Sequence, residues 1–425
     1  MRRMIFIALL IVSGLSAPYE AHSAEEAIPP EENAATYYRK AFELMEPWPN
    51  EEARMRAFDI IGEGWKEEDE ELEQLLKANQ PAFEEFRKGV LKERCRFVFG
   101  EITYEMDLPH LGKARGMAQL LMLEARLHQR NGNLAKALKN SLDVIKLGHD
   151  CGTNRIILSK LVDNSLCGIS GVVLKDLVRS EDLRPAVAKK TLEDLLKLEK
   201  KAVSAREVLE GEIVLSKSAL RWMLKEMEKE ADKEGNRDLW NQMQQEEHWI
   251  NLLRKEFDLL IEEYFATIII FVEKGDYQAV STFVDICSER MEADELSIFD
   301  IPRANERVAQ KMAEIFANML LPAVRHSLFH FGRYQAKERL TIGTLAIRLF
   351  QMEKGRWPQN LDELVPEYLD EVPLDPFGLK PLNYKKREGK WIIYSIGPDG
   401  KDDGGIKEYV YGEAEEGTDL IYMVE

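Results

Sequence analysis

The chain has 425 residues, 45% of them hydrophobic and 32% charged, enough for roughly two or three domains with large buried cores. Its 76 acidic residues outnumber 58 basic ones, for a formal charge of −18. That surface repels phosphate backbones and anionic lipid, which disfavours nucleic-acid binding and suits divalent cations or basic partners.

At the N-terminus, Arg2 and Arg3 precede the apolar run Ile5–Val12, and small residues follow at Ala21, Ser23 and Ala24. This order reads as a signal peptide over residues 1–23, cleaved after Ser23 or, alternatively, Ala24. The expected location is then exported, periplasmic or extracellular; an uncleaved N-terminal anchor is the alternative. No later apolar run reaches about 18 residues, and the short run Ala266–Val272 reads as buried core, so no membrane span is expected in the mature chain. Four cysteines (Cys95, Cys151, Cys167 and Cys287), none in a CxxC pair, are too sparse for a disulfide scaffold or a zinc ribbon.

From Asn33, a predicted N-cap, helical spacing dominates. It predicts helices over 33–46, 50–62, 67–78, 80–98, 112–131, 134–150, 154–178, 186–232, 236–274, 277–291 and 303–354. Gly132-Asn133-Leu134, followed by Ala135 and Ala137, reads as a tight helical hairpin, and Lys274-Gly275-Asp276-Tyr277 repeats the pattern. Both resemble the hinge of a tetratricopeptide repeat, with Ala125 and His128 at matching places. No period of about 34 residues runs through the region, so an irregular helical domain over 33–302 is expected rather than a tandem array.

The character changes near residue 355. Gly355 ends the long helix and Pro358 prevents its resumption. Asn360 with Glu363 is expected to cap a short helix carrying Leu361, Leu364 and Val365. Strands are predicted at Leu382–Lys385, Trp391–Ser395 and Leu420–Met423, with a hairpin turn at Glu388-Gly389-Lys390. The fold class is therefore mainly α, with a C-terminal α+β module over 303–425 in which a long helix carries a small antiparallel sheet.

This tail resembles the globular end of the major pseudopilin of type II secretion systems. The likeness rests on Gly355-Arg356-Trp357-Pro358, Pro373-Leu374-Asp375-Pro376-Phe377-Gly378, Tyr384, Tyr394, Ser395-Ile396-Gly397-Pro398-Asp399-Gly400 and Asp419-Leu420, in that order. About a quarter of the chain is covered. The long helix here is internal and carries Arg325, Arg333, Lys337 and Arg339, so the chain does not assemble as an ordinary pseudopilin. The segment 406–418 also exceeds the family loop. The helical part is similar to exported bacterial proteins that join a helical domain to such a tail.

Asp399, Asp402 and Asp403 alternate with glycines, the oxygen-rich composition that calcium prefers, although a solvated acidic turn has the same composition. The pseudopilin resemblance implies a structural calcium in this loop, with Asp419 as a remote ligand. Asp375 reads as a turn former. His326 and His330 share a helix face as zinc pairs do, but a third ligand would have to come from elsewhere, such as His110, His128 or His149. No GxSxG, P-loop, GxGxxG or CxxCH occurs.

The leading expectation is an exported, non-enzymatic envelope protein that acts as a scaffold for a protein or peptide partner, with a calcium-stabilised tail. One alternative is a metal- or carboxylate-dependent hydrolase whose helical domain gathers His128, His149 or His326 with acidic residues. Another is an accessory factor of a type II secretion system.

Overall fold

A computed structural model describes residues 28–98, 100–233, 247–293, 306–405 and 419–424. The expected signal peptide and the extended loop 406–418 lie outside the described residues. Asn33 starts the fold as expected. Its Oδ1 accepts the N–H of Ala35 at 3.1 Å and that of Arg96 at 2.9 Å, tying α1 (Ala34–Glu43) to an extended segment downstream. That second bond explains why the helix expected over 80–98 stops early. Residues past 90 lie against the start of α1, and Ala34 N–H donates to the Arg94 carbonyl at 2.9 Å.

Three more helices build this end: α2 (Glu51–Glu63), α3 (Glu70–Ala78) and α4 (Gln80–Val90). Asn50 and Asp69 cap the first two with side-chain oxygens. Next come α5 (Pro109–Arg130), α6 (Leu134–Gly152) and α7 (Ile157–Val178), which pack on one another through Leu121, Ala125, Ala137, Val144, Leu166 and other buried side chains. Ala137 does face the neighbouring helix as expected, but Ala135 faces solvent. The fully buried Arg126 on α5 donates to the Ile61 carbonyl at 2.7 Å and to Asp176 at 2.8 Å, joining α2, α5 and α7. Among the described residues one helix, α7, is long and apolar enough to cross a membrane. It packs against α6 here and carries the buried Asp163.

The single helix expected over 186–232 is two: α8 (Pro185–Glu199) and α9 (Ala205–Lys233). Ser204 starts the second with a reciprocal capping box. Its Oγ accepts the Glu207 N–H at 3.2 Å while the Glu207 carboxylate accepts the Ser204 N–H at 2.9 Å. Then follow α10 (Glu247–Glu273), α11 (Tyr277–Ala293) and the 49-residue α12 (Glu306–Lys354).

Gly355 ends α12 with φ 69°. The short helix after it is a 3-10 turn over Leu361–Leu364. Asn360 makes no side-chain cap there; Glu363 instead accepts the Gln359 N–H at 2.6 Å. The sheet is antiparallel in the order β1 (Asn383–Arg387), β2 (Lys390–Ser395), β3 (Leu420–Met423). Glu388 and Gly389, both with positive φ, form the two-residue turn between the first two strands. Side chains alternate by face. Ile393 and Tyr422, directly opposite each other, join the main core, while Ile392, Tyr394 and Ile421 form a separate small cluster.

The tail is seated on the α10–α11 turn. Gly378 N–H donates to the Gly275 carbonyl at 3.1 Å, and Phe377 stacks obliquely on Tyr277 with ring centroids 4.8 Å apart. A Cβ on Gly275 would lie 2.6 Å from Gly378 N and 2.7 Å from the Pro376 carbonyl, both backbone atoms. The same addition at Gly132, also at positive φ, meets nothing within 4 Å.

The two glycines therefore separate the backbone cost from the docking cost. Gly132→Ala is expected to cost about 1 kcal/mol, the left-handed penalty alone. Gly275→Ala should cost about 3 kcal/mol or more, since overpacking adds to it. Denaturant melts of both variants check this; equal losses would mean the tail does not press on that turn.

Candidate functional site

Asp375 is the hub of the tail turns. Its carboxylate accepts Ser395 Oγ–H at 2.8 Å, Ile396 N–H at 2.8 Å and Phe377 N–H at 3.0 Å. This is the turn-forming role expected of it, with both oxygens occupied.

The four aspartates read as calcium ligands divide. Asp399 accepts the Lys401 N–H at 3.1 Å in a local turn. Asp402 accepts Tyr394 O–H at 3.1 Å and Gly404 N–H at 2.8 Å. Asp419 is buried, with Oδ2 accepting Gly405 N–H at 2.7 Å and Oδ1 without a partner. Burial raises its pKa, and the negative charges of Asp402 and Asp403 raise it further. Asp402, Asp403 and Asp419 are thus electrostatic neighbours, and Asp399 and Asp402 each also accept the N–H two residues on in a local turn.

The histidines are dispersed. His326 and His330 do share a face, with Nε2 atoms 3.0 Å apart, but they are half open to solvent and beside Arg333 and Lys337 rather than a carboxylate. His110 is buried and stacked on Phe97 at 4.1 Å. His128 lies beside Glu124. None of these completes a site with the 326/330 pair.

His149 is different. Among the described residues, the trio with ligand atoms all within 4.8 Å of one another is His149, Asp163 and Cys167. His149 comes from α6 and the other two from α7. Gly148 and Gly152 on α6 leave the room: a Cβ on Gly148 would lie 2.8 Å from Asp163 Oδ1 and 3.3 Å from Cys167 Sγ. Cys167 donates weakly to Asp163 Oδ1 at 3.3 Å, and Lys160 donates to Asp163 Oδ2 at 2.7 Å. Burial works against the Asp163 charge, yet Lys160 and then His149 hold the carboxyl below its ordinary range. Burial raises the Cys167 thiol, and the Asp163 charge adds to it. Glu338 on α12, whose Oε1 is buried without a partner, is also raised by burial and senses His149 and Asp163.

These groups line a cavity of about 990 Å³. Its walls come from α7, the α8–α9 linker, α12 and β3, so it lies where the helical body meets the tail. Val172 and Leu379, each 42% exposed, stand on its body and tail sides. No protein-family model matches the chain, and neither the curated proteins nor the solved structures contain a match.

The sequence offers His149 as a third partner for the His326/His330 pair or as part of a hydrolase site with acidic residues, and does not single out Asp163 or Cys167 as its partners. The available signal was Gly148 beside His149 on α6, and an acid, Asp163, spaced four residues from Cys167 on the apolar helix that follows.

The buried His110 carries a pH consequence. Burial lowers its pKa from 6.5 to about 4, with Arg39 adding to the effect. Because the folded value lies below the unfolded one, its contribution is complete above about 6.5 and falls as pH drops towards about 4. Chemical melts between those values should show that loss, and His110→Phe, which retains the ring stack, should flatten it. An unchanged slope in the variant would assign the loss to other groups.

Proposed function

We propose that this protein is an exported, non-enzymatic scaffold that holds a protein or peptide partner in the cleft between its helical body and its tail. The observation that carries this reading is the cavity of about 990 Å³ with exposed apolar groups, Val172 and Leu379, on its two sides. Apolar side chains left open in a concave site favour an occupant that covers them. Export rests on the N-terminal charge and hydropathy order. The likeness of the tail to a pseudopilin end supports a docking or capping role for it.

The cleft is tested by selecting a displayed random-peptide library on the full chain. Val172→Asp and Leu379→Asp should each weaken the selected peptides at least tenfold without lowering the melting temperature. Failure to enrich any peptide, or binding that ignores both changes, counts against the cleft.

The tail reading includes a calcium ion held by Asp402, Asp403 and Asp419 with loop carbonyls. Its support is the unpartnered, buried Oδ1 of Asp419 beside two further carboxylates. A bound ion stabilises the fold by linkage, about 2.7 kcal/mol at a hundredfold excess over its dissociation constant. Millimolar calcium should therefore raise the melting temperature of chelator-treated protein, and Asp419→Asn should remove the response. Identical melts with calcium and with chelator would end the calcium reading.

A second reading, a metal-dependent hydrolase, is favoured by one observation: His149 faces buried carboxyl groups and a thiol at the wall of the same cavity.

A further inference from the structure

We propose that His149, Asp163 and Cys167 form a binding site for a zinc-class divalent cation, with its fourth position open to the cavity. The site is independent of the tail calcium and of the peptide cleft reading; it holds whether the cavity takes a partner or a substrate.

Distances argue first. Cys167 Sγ lies 3.3 Å from Asp163 Oδ1, and His149 Nε2 lies 4.0 Å from the same oxygen. Tetrahedral zinc, with bonds of about 2.0–2.3 Å to N, O and S, separates neighbouring ligand atoms by roughly 3.3–3.6 Å. Those two spacings are at or just beyond that range, and all three ligand atoms lie within 4.8 Å of one another, so a bound ion would draw the side chains together by rotation.

Unspent bonding capacity argues second. His149 is only 6% exposed. Its Nδ1 is buried with no partner, and its Nε2 is too far from Asp163 for a hydrogen bond. Asp163 therefore does not occupy the Nε2 that faces it. Lys160 occupies Asp163 Oδ2 at 2.7 Å, which fixes the carboxylate and leaves Oδ1 with only a weak thiol bond. A cation replaces that weak bond directly: Cys167 gives its proton to solvent and binds as the thiolate.

Chemistry of the donor set argues third. One imidazole, one carboxylate and one thiolate form a mixed N, O, S shell that suits borderline-soft zinc better than calcium or magnesium. Three protein ligands with an open position is the arrangement that keeps a metal-bound water. Glu338, with Oε1 buried and free of partners, is not one of the three grouped ligands.

Cobalt(II) is the probe, because a thiolate ligand gives it an intense near-ultraviolet charge-transfer band. The full chain, stripped by chelator, should bind one cobalt per molecule with that band and tetrahedral visible bands, and zinc should displace it. Cys167→Ser should lose the charge-transfer band, His149→Gln should weaken binding at least tenfold, and Glu338→Gln should retain the band. If Cys167→Ser fails to fold, a wild-type measurement stands in: zinc should slow alkylation of Cys167, mapped by mass spectrometry, at least tenfold. Absence of the band in wild type, its persistence in Cys167→Ser, or alkylation of Cys167 indifferent to zinc overturns the site.

Discussion

The seating of one tail turn on one interhelical turn organises this protein. Gly275 and Gly378 approach so closely that their backbones share a hydrogen bond of 3.1 Å, and a Cβ on Gly275 would run into the backbone of the tail turn. Phe377 fills the adjoining notch against Tyr277 and Gly332. Full burial of such a ring contributes about 1.5–3 kcal/mol. Because Asp375 also holds the Ser395 loop, this contact fixes the tail's turns as one piece. The cavity beside it exists because the tail is held there: β3 and the Pro376 turn supply one side of it.

Inside the helical body, polar groups sit where helices cross. Arg126 is fully buried, and its guanidinium meets the carbonyl end of α2 and the carboxylate of Asp176. Glu124, also buried, accepts from Arg87 at 2.6 Å and from Asn140 at 2.8 Å. Charges taken out of water are costly unless paired, and removing one partner of a buried pair costs about 3–5 kcal/mol. These networks therefore specify which helices meet more than they add to net stability. Buried atoms without partners occur elsewhere too, at His110 Nε2 and Asn318 Oδ1 among others, but at His149 they stand beside a grouped imidazole, carboxylate and thiol.

Local signals were the legible part of the chain. Asn33 capped its helix, Gly355 ended the long one, and Glu388-Gly389 made the hairpin turn, because each depends on a few neighbouring residues. Strand β3 was legible over the whole of Leu420–Met423, and the continuous apolar run in β2 fits its burial on both faces from Ile392 to Ser395. Ser204 was missed as a helix start, although its partner Glu207 stands three residues on, because the surrounding lysines and glutamates continue the helical spacing through the break. Asn360 was misread as a cap because its geometry turned on a glutamate reaching one residue further back.

The sequence by itself determined the helical class, the sheet-bearing tail, the acidic surface and the turn role of Asp375, since periodicity, composition and turn chemistry act over short distances. Tertiary structure alone decided that the tail turn meets Gly275 and that His149 meets Asp163 and Cys167. Those partners lie on different elements, and which helices cross at Gly148 depends on packing across the whole body. A histidine beside a glycine carries no trace in sequence of the acid that will fill the space that glycine leaves.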